Sequence, residues 1–159
     1  KDGAGKVALA RMAFSPIGAF KATSLEDINP PEIGQATKFA LDSRLGYLFY
    51  AVGGKLYQYD MDTKVAKVAK DYGSREITLL KSSRAVRITP VEIALYPQYY
   101  LERYESPVYG LCVGTCNPGA PAGTGQLDVL KVPTLMGDIT PFYSFTGLDR
   151  IVDVCYNEF

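Results

Sequence analysis

Six consecutive residues, Tyr47-Leu48-Phe49-Tyr50-Ala51-Val52, are all apolar or aromatic, and Gly53-Gly54 follows at once. Successive side chains of a β-strand point to opposite faces, so a strand of this composition must be covered on both. The Gly-Gly pair is a two-residue hairpin signal. The flanking sequence extends the pattern. Thr37-Lys38-Phe39-Ala40-Leu41-Asp42 reads as a preceding strand, with a turn at Ser43-Arg44-Leu45-Gly46. Lys55-Leu56-Tyr57-Gln58-Tyr59-Asp60 reads as a third strand and Val65-Ala66-Lys67-Val68-Ala69-Lys70 as a fourth, more polar one, after a turn at Met61-Asp62-Thr63-Lys64. A sheet buried at its inner strands and wet at its outer one suits a propeller blade, which its neighbours sandwich.

The pattern recurs further along. Glu76-Ile77-Thr78-Leu79-Leu80-Lys81 resembles the strand that starts at Lys38, and Tyr109-Gly110-Leu111-Cys112-Val113 echoes Tyr47–Val52. Gly125-Gln126-Leu127-Asp128-Val129-Leu130 echoes the stretch from Gly54, and Phe142-Tyr143-Ser144-Phe145 closes the second unit. Arg150-Ile151-Val152-Asp153-Val154-Cys155-Tyr156 is expected to begin another, and Lys6-Val7-Ala8-Leu9-Ala10-Arg11-Met12-Ala13-Phe14 to be an outer strand of a preceding one. Residues 24–35, around Asn29-Pro30-Pro31, read as a loop. The expected fold is therefore all-β, a single array over residues 1–159 of four-stranded antiparallel blades. It is propeller-like but partial, because closed propellers need about four to eight blades. The sequence begins at Lys1 without methionine or signal segment, which reads as a fragment of a longer chain. Open sheet edges predict self-association or pairing with missing chain.

Composition narrows the chemistry. Apolar residues make up 47% and charged residues 21%, a globular balance, with twelve tyrosines and no tryptophan. Seventeen basic and seventeen acidic side chains cancel, with no basic stripe, so nucleic acid is not an expected partner. No apolar run is long enough for a membrane span. The chain has no histidine, which removes Ser-His-Asp and Cys-His catalysis and histidine-ligated metals. Cys112, Cys116 and Cys155 are too few and too odd for a disulfide framework. Cys112 and Cys116 would lie ~13 Å apart along an extended strand, and only a tight turn at Gly114 would let them bond. The leading expectation for them is two small apolar strand residues.

Local motifs add little catalysis. Asp60 and Asp62 resemble the start of a calcium loop, but Lys64 stands at position five and no glutamate closes the loop, so a turn is expected. Gly3-Ala4-Gly5-Lys6 and the Pro/Gly-rich stretch 117–125 lack the phosphate-loop pattern, and the latter reads as a mobile loop. No cofactor and no metal site is expected. Glu102 with Glu105, or Asp128 with Asp149, are the carboxylate pairs that a glycoside hydrolase would need. The insertion 84–107 carries the candidate site. A short helix from Pro97 would set Tyr96, Tyr100 and Tyr104 on one face. The bland expectation is a packed stripe. The functional one is an aromatic platform for a sugar ring, formed by Tyr96, Tyr99, Tyr100, Arg103 and Tyr104, with Glu105 nearby.

Residues 39–52, the stretch Gly54-Lys55-Leu56-Tyr57-Gln58-Tyr59-Asp60, Asp71-Tyr72-Gly73, Phe142-Tyr143-Ser144-Phe145-Thr146-Gly147 and Ile151-Val152-Asp153-Val154 resemble the PKD-like family lipoproteins of Bacteroidetes. The resemblance is best over residues 37–81 and 142–157, and it carries over no catalytic residue. It implies a lipid-anchored cell-envelope protein, at the outer-membrane surface or in the periplasm. It also implies immunoglobulin-type PKD-like modules upstream and a propeller-like C-terminal region. The functional expectation is a non-catalytic surface binding or scaffold module, for glycan or protein in nutrient uptake. The alternatives are a purely structural, self-assembling domain and a carboxylate-based hydrolase.

Overall fold

The structure, a computed structural model, describes residues 9–14, 22–42, 45–83, 109–133, 136 and 139–154. These form ten strands: β1 (Leu9–Phe14), β2 (Ala22–Ile28), β3 (Lys38–Asp42), β4 (Tyr47–Val52), β5 (Lys55–Asp60), β6 (Ala66–Asp71), β7 (Glu76–Ser83), β8 (Tyr109–Cys116), β9 (Gly125–Val132) and β10 (Thr140–Leu148). Every pair is antiparallel. β1 and β2 make a two-stranded hairpin, β3-β4-β5-β6 a first four-stranded meander, and β7-β8-β9-β10 a second. The only helical turn among the described residues is a 3₁₀ turn at Ile33–Gln35. The chain is thus all-β, with two four-stranded sheets at the expected places. The described residues form no closed ring of sheets.

The first sheet follows from local chemistry. Five of the six β4 residues are buried. The β4–β5 hairpin turns at Gly53-Gly54, with Gly53 at φ 56°, where glycine is unstrained. A side chain on Gly54 would run into the backbone carbonyl of Gly73, so the turn that follows β6 can close over the hairpin only if residue 54 is glycine. Asp60 closes the β5–β6 turn: its Oδ1 accepts the backbone N–H groups of Asp62 and Thr63 at 2.9 and 3.1 Å, an Asx turn and not an ion site.

Two expectations fail. Residues 24–28 are not loop but belong to β2, which pairs along its length with β1. Glu26 and Asp27 have poor strand propensity, and the partner strand overrides it. Residues 150–154 do not begin a strand ladder. They lie against β7 and are fixed there by side chains: Thr78 Oγ1 donates to the Ile151 carbonyl at 2.7 Å, and Lys81 Nζ donates to Asp153 Oδ1 at 2.8 Å and the Val154 carbonyl at 2.6 Å.

The direction of stacking is the main tertiary result. Along β4 and β5, Phe49 pairs with Gln58 and Ala51 with Leu56, while Tyr50 pairs with Tyr57 and Leu48 with Tyr59. The first set faces the second sheet, where Phe49, Ala51 and Leu56 join Ile77, Leu80, Leu111, Val113 and Leu130 in one core. The other set faces away and is covered by the segment that holds Ile33 and Ala36. Tyr50 stacks on Tyr57 with ring centroids 4.9 Å apart, and their hydroxyls donate to the Pro31 carbonyl and to Glu32. Burial pushes the Tyr50 hydroxyl up to about 12, helped by Tyr57, Glu32 and Tyr59.

In the second sheet the matching pairs are Cys112 with Val129, Gly114 with Leu127, and Val113 with Asp128. By register Val113 and Asp128 correspond to Tyr50 and Tyr57, and it is this row that meets the first sheet. The two sheets therefore pack head to tail, the front of one on the back of the next, and not front to front. The first strands, β3 and β7, lie side by side, as β7 and residues 150–154 do. The back of the first sheet is closed by the segment that holds Ile33 and Ala36, so the front of the second sheet is the end at which the same contact can repeat.

Candidate functional site

Asp128 is a buried carboxylate of the seam that accepts four side-chain hydrogen bonds. It is 1% exposed and sits on β9, facing the first sheet. Its Oδ2 accepts from Lys70 Nζ and Tyr72 Oη, each at 2.9 Å, and its Oδ1 from Gln126 Nε2 at 2.8 Å and Ser144 Oγ at 2.6 Å. Lys70 and Tyr72 come from the end of β6 and the turn beyond it, so the cluster ties the two sheets. Burial pushes the carboxyl up, but the four hydrogen bonds outweigh it and hold Asp128 below the ordinary carboxylate range. Tyr72 moves the other way: burial first, then the charge and hydrogen bond of Asp128, raise its hydroxyl far above its usual value. A carboxylate with both oxygens doubly occupied neither takes nor gives a proton near neutral pH. Its chemistry is that of a clasp.

A second clasp lies at the top of the seam. Arg75, in the connection between the sheets, donates through Nε to Thr115 Oγ1 at 3.0 Å, through Nη1 to Asn117 Oδ1 at 3.1 Å and through Nη2 to the Thr124 carbonyl at 2.6 Å. Gly123 N donates to Asp149 Oδ1 at 3.0 Å. The Pro/Gly-rich 117–125 loop, expected to be mobile, is pinned from both sides. Asp149 and Asp128 thus have separate structural partners. Glu102 and Glu105 lie outside the described residues.

The two sheets differ on their front faces. On the first, β6 pairs Lys70 with Leu56 and Lys67 with Gln58. On the second, β10 pairs Phe145 with Leu127 and Tyr143 with Val129. Where the first sheet carries two lysines, one of them bonded across the seam to Asp128, the second carries two aromatic rings. Tyr143 is 45% and Phe145 51% exposed, with ring centroids 6.4 Å apart, and Phe142 meets Tyr143 edge-on at 4.5 Å. The inner half of the same face is closed: Ile151 lies over Gly114, where an added side chain would meet Leu79, Ile151 and Thr78. The outer half, with Leu127 and Val129 on β9 and Tyr143 and Phe145 on the edge strand β10, is an apolar surface.

The sequence signal for this surface was present. Tyr143 and Phe145 alternate with Ser144 on a strand already recognised, but only the register shows that they take the place of lysines. The predicted aromatic platform, Tyr96, Tyr99, Tyr100, Arg103 and Tyr104, lies outside the described residues, as do the short helix expected there and Cys155. Cys112 and Cys116 stand on one strand as buried thiols not bonded to each other, as the strand spacing requires. Among the described residues no group of three or more histidine, cysteine, aspartate or glutamate side chains could hold a metal ion, and no helix is long and apolar enough to cross a membrane.

The described residues define an all-β protein of stacked antiparallel sheets with an exposed aromatic face on the second sheet. No family model matches the chain, and neither a curated protein nor a solved structure is found to match it.

Proposed function

We propose that the chain is a non-catalytic binding or scaffold module, a part of a propeller-like array, whose partner surface is the front face of the second sheet. The observation that carries this is the exchange at equivalent positions: Lys70 bonded across the seam with Lys67 on the same face of the first sheet, Tyr143 and Phe145 exposed on the second. Exposed apolar patches on a folded domain mark interaction surfaces. Two neighbouring rings also suit a sugar face, since an aromatic ring stacks on its C–H bonds while nearby polar groups take its hydroxyls. The resemblance to PKD-like lipoproteins supports a place in the cell envelope of Bacteroidetes and a glycan or protein ligand in nutrient uptake. The aromatic platform expected from the sequence at Tyr96, Tyr99, Tyr100, Arg103 and Tyr104 is a second candidate for the same role.

The test is retention on an array of neutral and acidic polysaccharides. The double variant Tyr143→Ser/Phe145→Ser is expected to lose retention with an unchanged thermal midpoint, because both rings are about half exposed and support little of the core. Alanine at Tyr99, Tyr100 and Tyr104 tests the second surface in the same assay. Retention unaffected by either set ends the glycan reading. A second reading, a structural domain that assembles with itself, is favoured by the head-to-tail stacking, which leaves the outer half of the second sheet's front face able to continue it.

A further inference from the structure

We infer that the exposed front face of the second sheet binds an acidic sugar, a hexuronate whose ring stacks on Tyr143 and Phe145 and whose carboxylate meets Lys131. The inference rests on that face being the partner surface and names the class of its ligand.

Lys131 brings the charge. It lies between Leu130 and Val132, which are buried in the core between the sheets, so it stands exposed on the opposite face. The two-residue period puts it in one row with Leu127 and Val129, about 7 Å beyond Val129. Val129 is the register partner of Tyr143, so the flexible four-carbon stem of Lys131 starts beside the rings. In the first sheet the corresponding residue is Asp60, which closes the β5–β6 turn. Lys131 has no such task. The neighbouring charges are paired: Lys81 bonds Asp153 at 2.8 Å and Arg150 bonds Glu76 at 2.9 Å. Lys131 has no hydrogen-bond or ion-pair partner among the described residues, which leaves one uncompensated positive charge beside the rings.

The rings are set before a ligand arrives. β10 bulges between Pro141 and Tyr143, and the extra residue, Phe142, meets Tyr143 edge-on at 4.5 Å. A ring already held by its neighbour loses less freedom on binding. Tyr143 and Phe145 are tilted by 32° with centroids 6.4 Å apart, so they make one shallow floor. A pyranose offers such a floor the C–H bonds of one face. A hexuronate also carries its carboxylate at the rim of the ring, where an ammonium beside the floor can take it.

Area decides against a protein on this floor. An aromatic side chain has about 150–250 Å² to bury, so two rings at about half exposure present roughly 200 Å². Each partner of a stable protein complex buries ~800 Å². Residues 150–154 close the inner half of the face, and Pro141 and two bulges blunt the edge of β10 against an added strand. The charge also decides which anion fits. A densely sulfated chain calls for a field of basic groups, and this protein has one unpaired lysine here and zero net charge. A single carboxylate matches a single ammonium.

The test is isothermal titration calorimetry of the 159-residue chain with polygalacturonate, alginate and glucuronoxylan, each beside its carboxyl-reduced form, and with dextran sulfate. Thermal midpoints serve as the folding control. At least one uronan is expected to bind, and its carboxyl-reduced form to bind about five- to tenfold more weakly. Lys131→Met should weaken the uronan by the same factor, leave the reduced form unaffected and keep the midpoint, because the lysine is exposed and its stem is retained. Lys131→Arg keeps the charge and should restore the affinity. Tyr143→Ser/Phe145→Ser should abolish binding of both forms. No uronan binding overturns the inference, as does dextran sulfate binding more tightly than every uronan. Binding that needs the two rings but ignores both carboxyl reduction and Lys131→Met refutes the uronate and leaves the binding face standing. Uronan binding that survives the loss of the rings and of Lys131 puts the site elsewhere and overturns both.

Discussion

Replacing Asp128 with alanine removes the acceptor shared by Lys70, Tyr72, Gln126 and Ser144. Hydrogen bonds to a charged group are each worth about 1.5–3 kcal/mol, but four on one carboxylate do not add. Ser144 is exposed and the Lys70 side chain 24% exposed, so both regain water when the acid is gone. Tyr72 is packed against the core and regains less. Breaking a buried ion pair by removing one partner costs about 3–5 kcal/mol, and the access of Lys70 to solvent places this case near the lower end, at about 3 kcal/mol. For a domain of this size that is a fall in Tm of about 6–12 °C.

The pH dependence has a definite sign. The carboxyl is held below its ordinary value in the folded protein, so its contribution is fully present above the unfolded value of about 3.9 and is lost as pH falls through the lower folded value. The gap in Tm between native protein and Asp128→Ala should be complete at neutral pH and close in strong acid. Thermal and urea unfolding followed by circular dichroism measure it. A gap under about 1 kcal/mol at neutral pH, or the same gap at every pH, would refute the clasp.

Gln58 faces the seam at 0% exposure, and neither its Oε1 nor its Nε2 has a partner among the described residues. An unpaired buried amide costs about 1–3 kcal/mol, so the near-isosteric Gln58→Met should raise the urea midpoint, and a lowered midpoint would show that the amide is satisfied. A side chain at Gly125 would strike the backbone carbonyl of Asp149, so Gly125→Ala should destabilise by about 2–3 kcal/mol, with the same result for Gly54→Ala against Gly73. Unchanged unfolding midpoints for both variants would mean that the turns after β6 and β10 do not close over the hairpins as described.

The local signals in this chain were strong enough to place most strands. A six-residue apolar run, a Gly-Gly pair and alternating aromatics act within a few residues, and strand formation follows from them through the two-residue period. This is why β4, β5 and the cores of β7, β8 and β9 were legible, and why β2, whose acidic residues depend on a partner strand, was not. From the sequence Asp128 reads as a strand residue that a hydrolase could use as half of a carboxylate pair. Its partners Lys70 and Tyr72 are 58 and 56 positions away in sequence. Pairing at that separation depends on which face of one sheet meets which face of the next, and that depends on how whole faces fit. The same choice left Tyr143 and Phe145 outside while their lysine counterparts went in. Sequence alone determined that the chain would make sheets needing cover on both sides. Only the tertiary structure decided the direction of stacking, because a strand's pattern records that a face is apolar but not what lies against it.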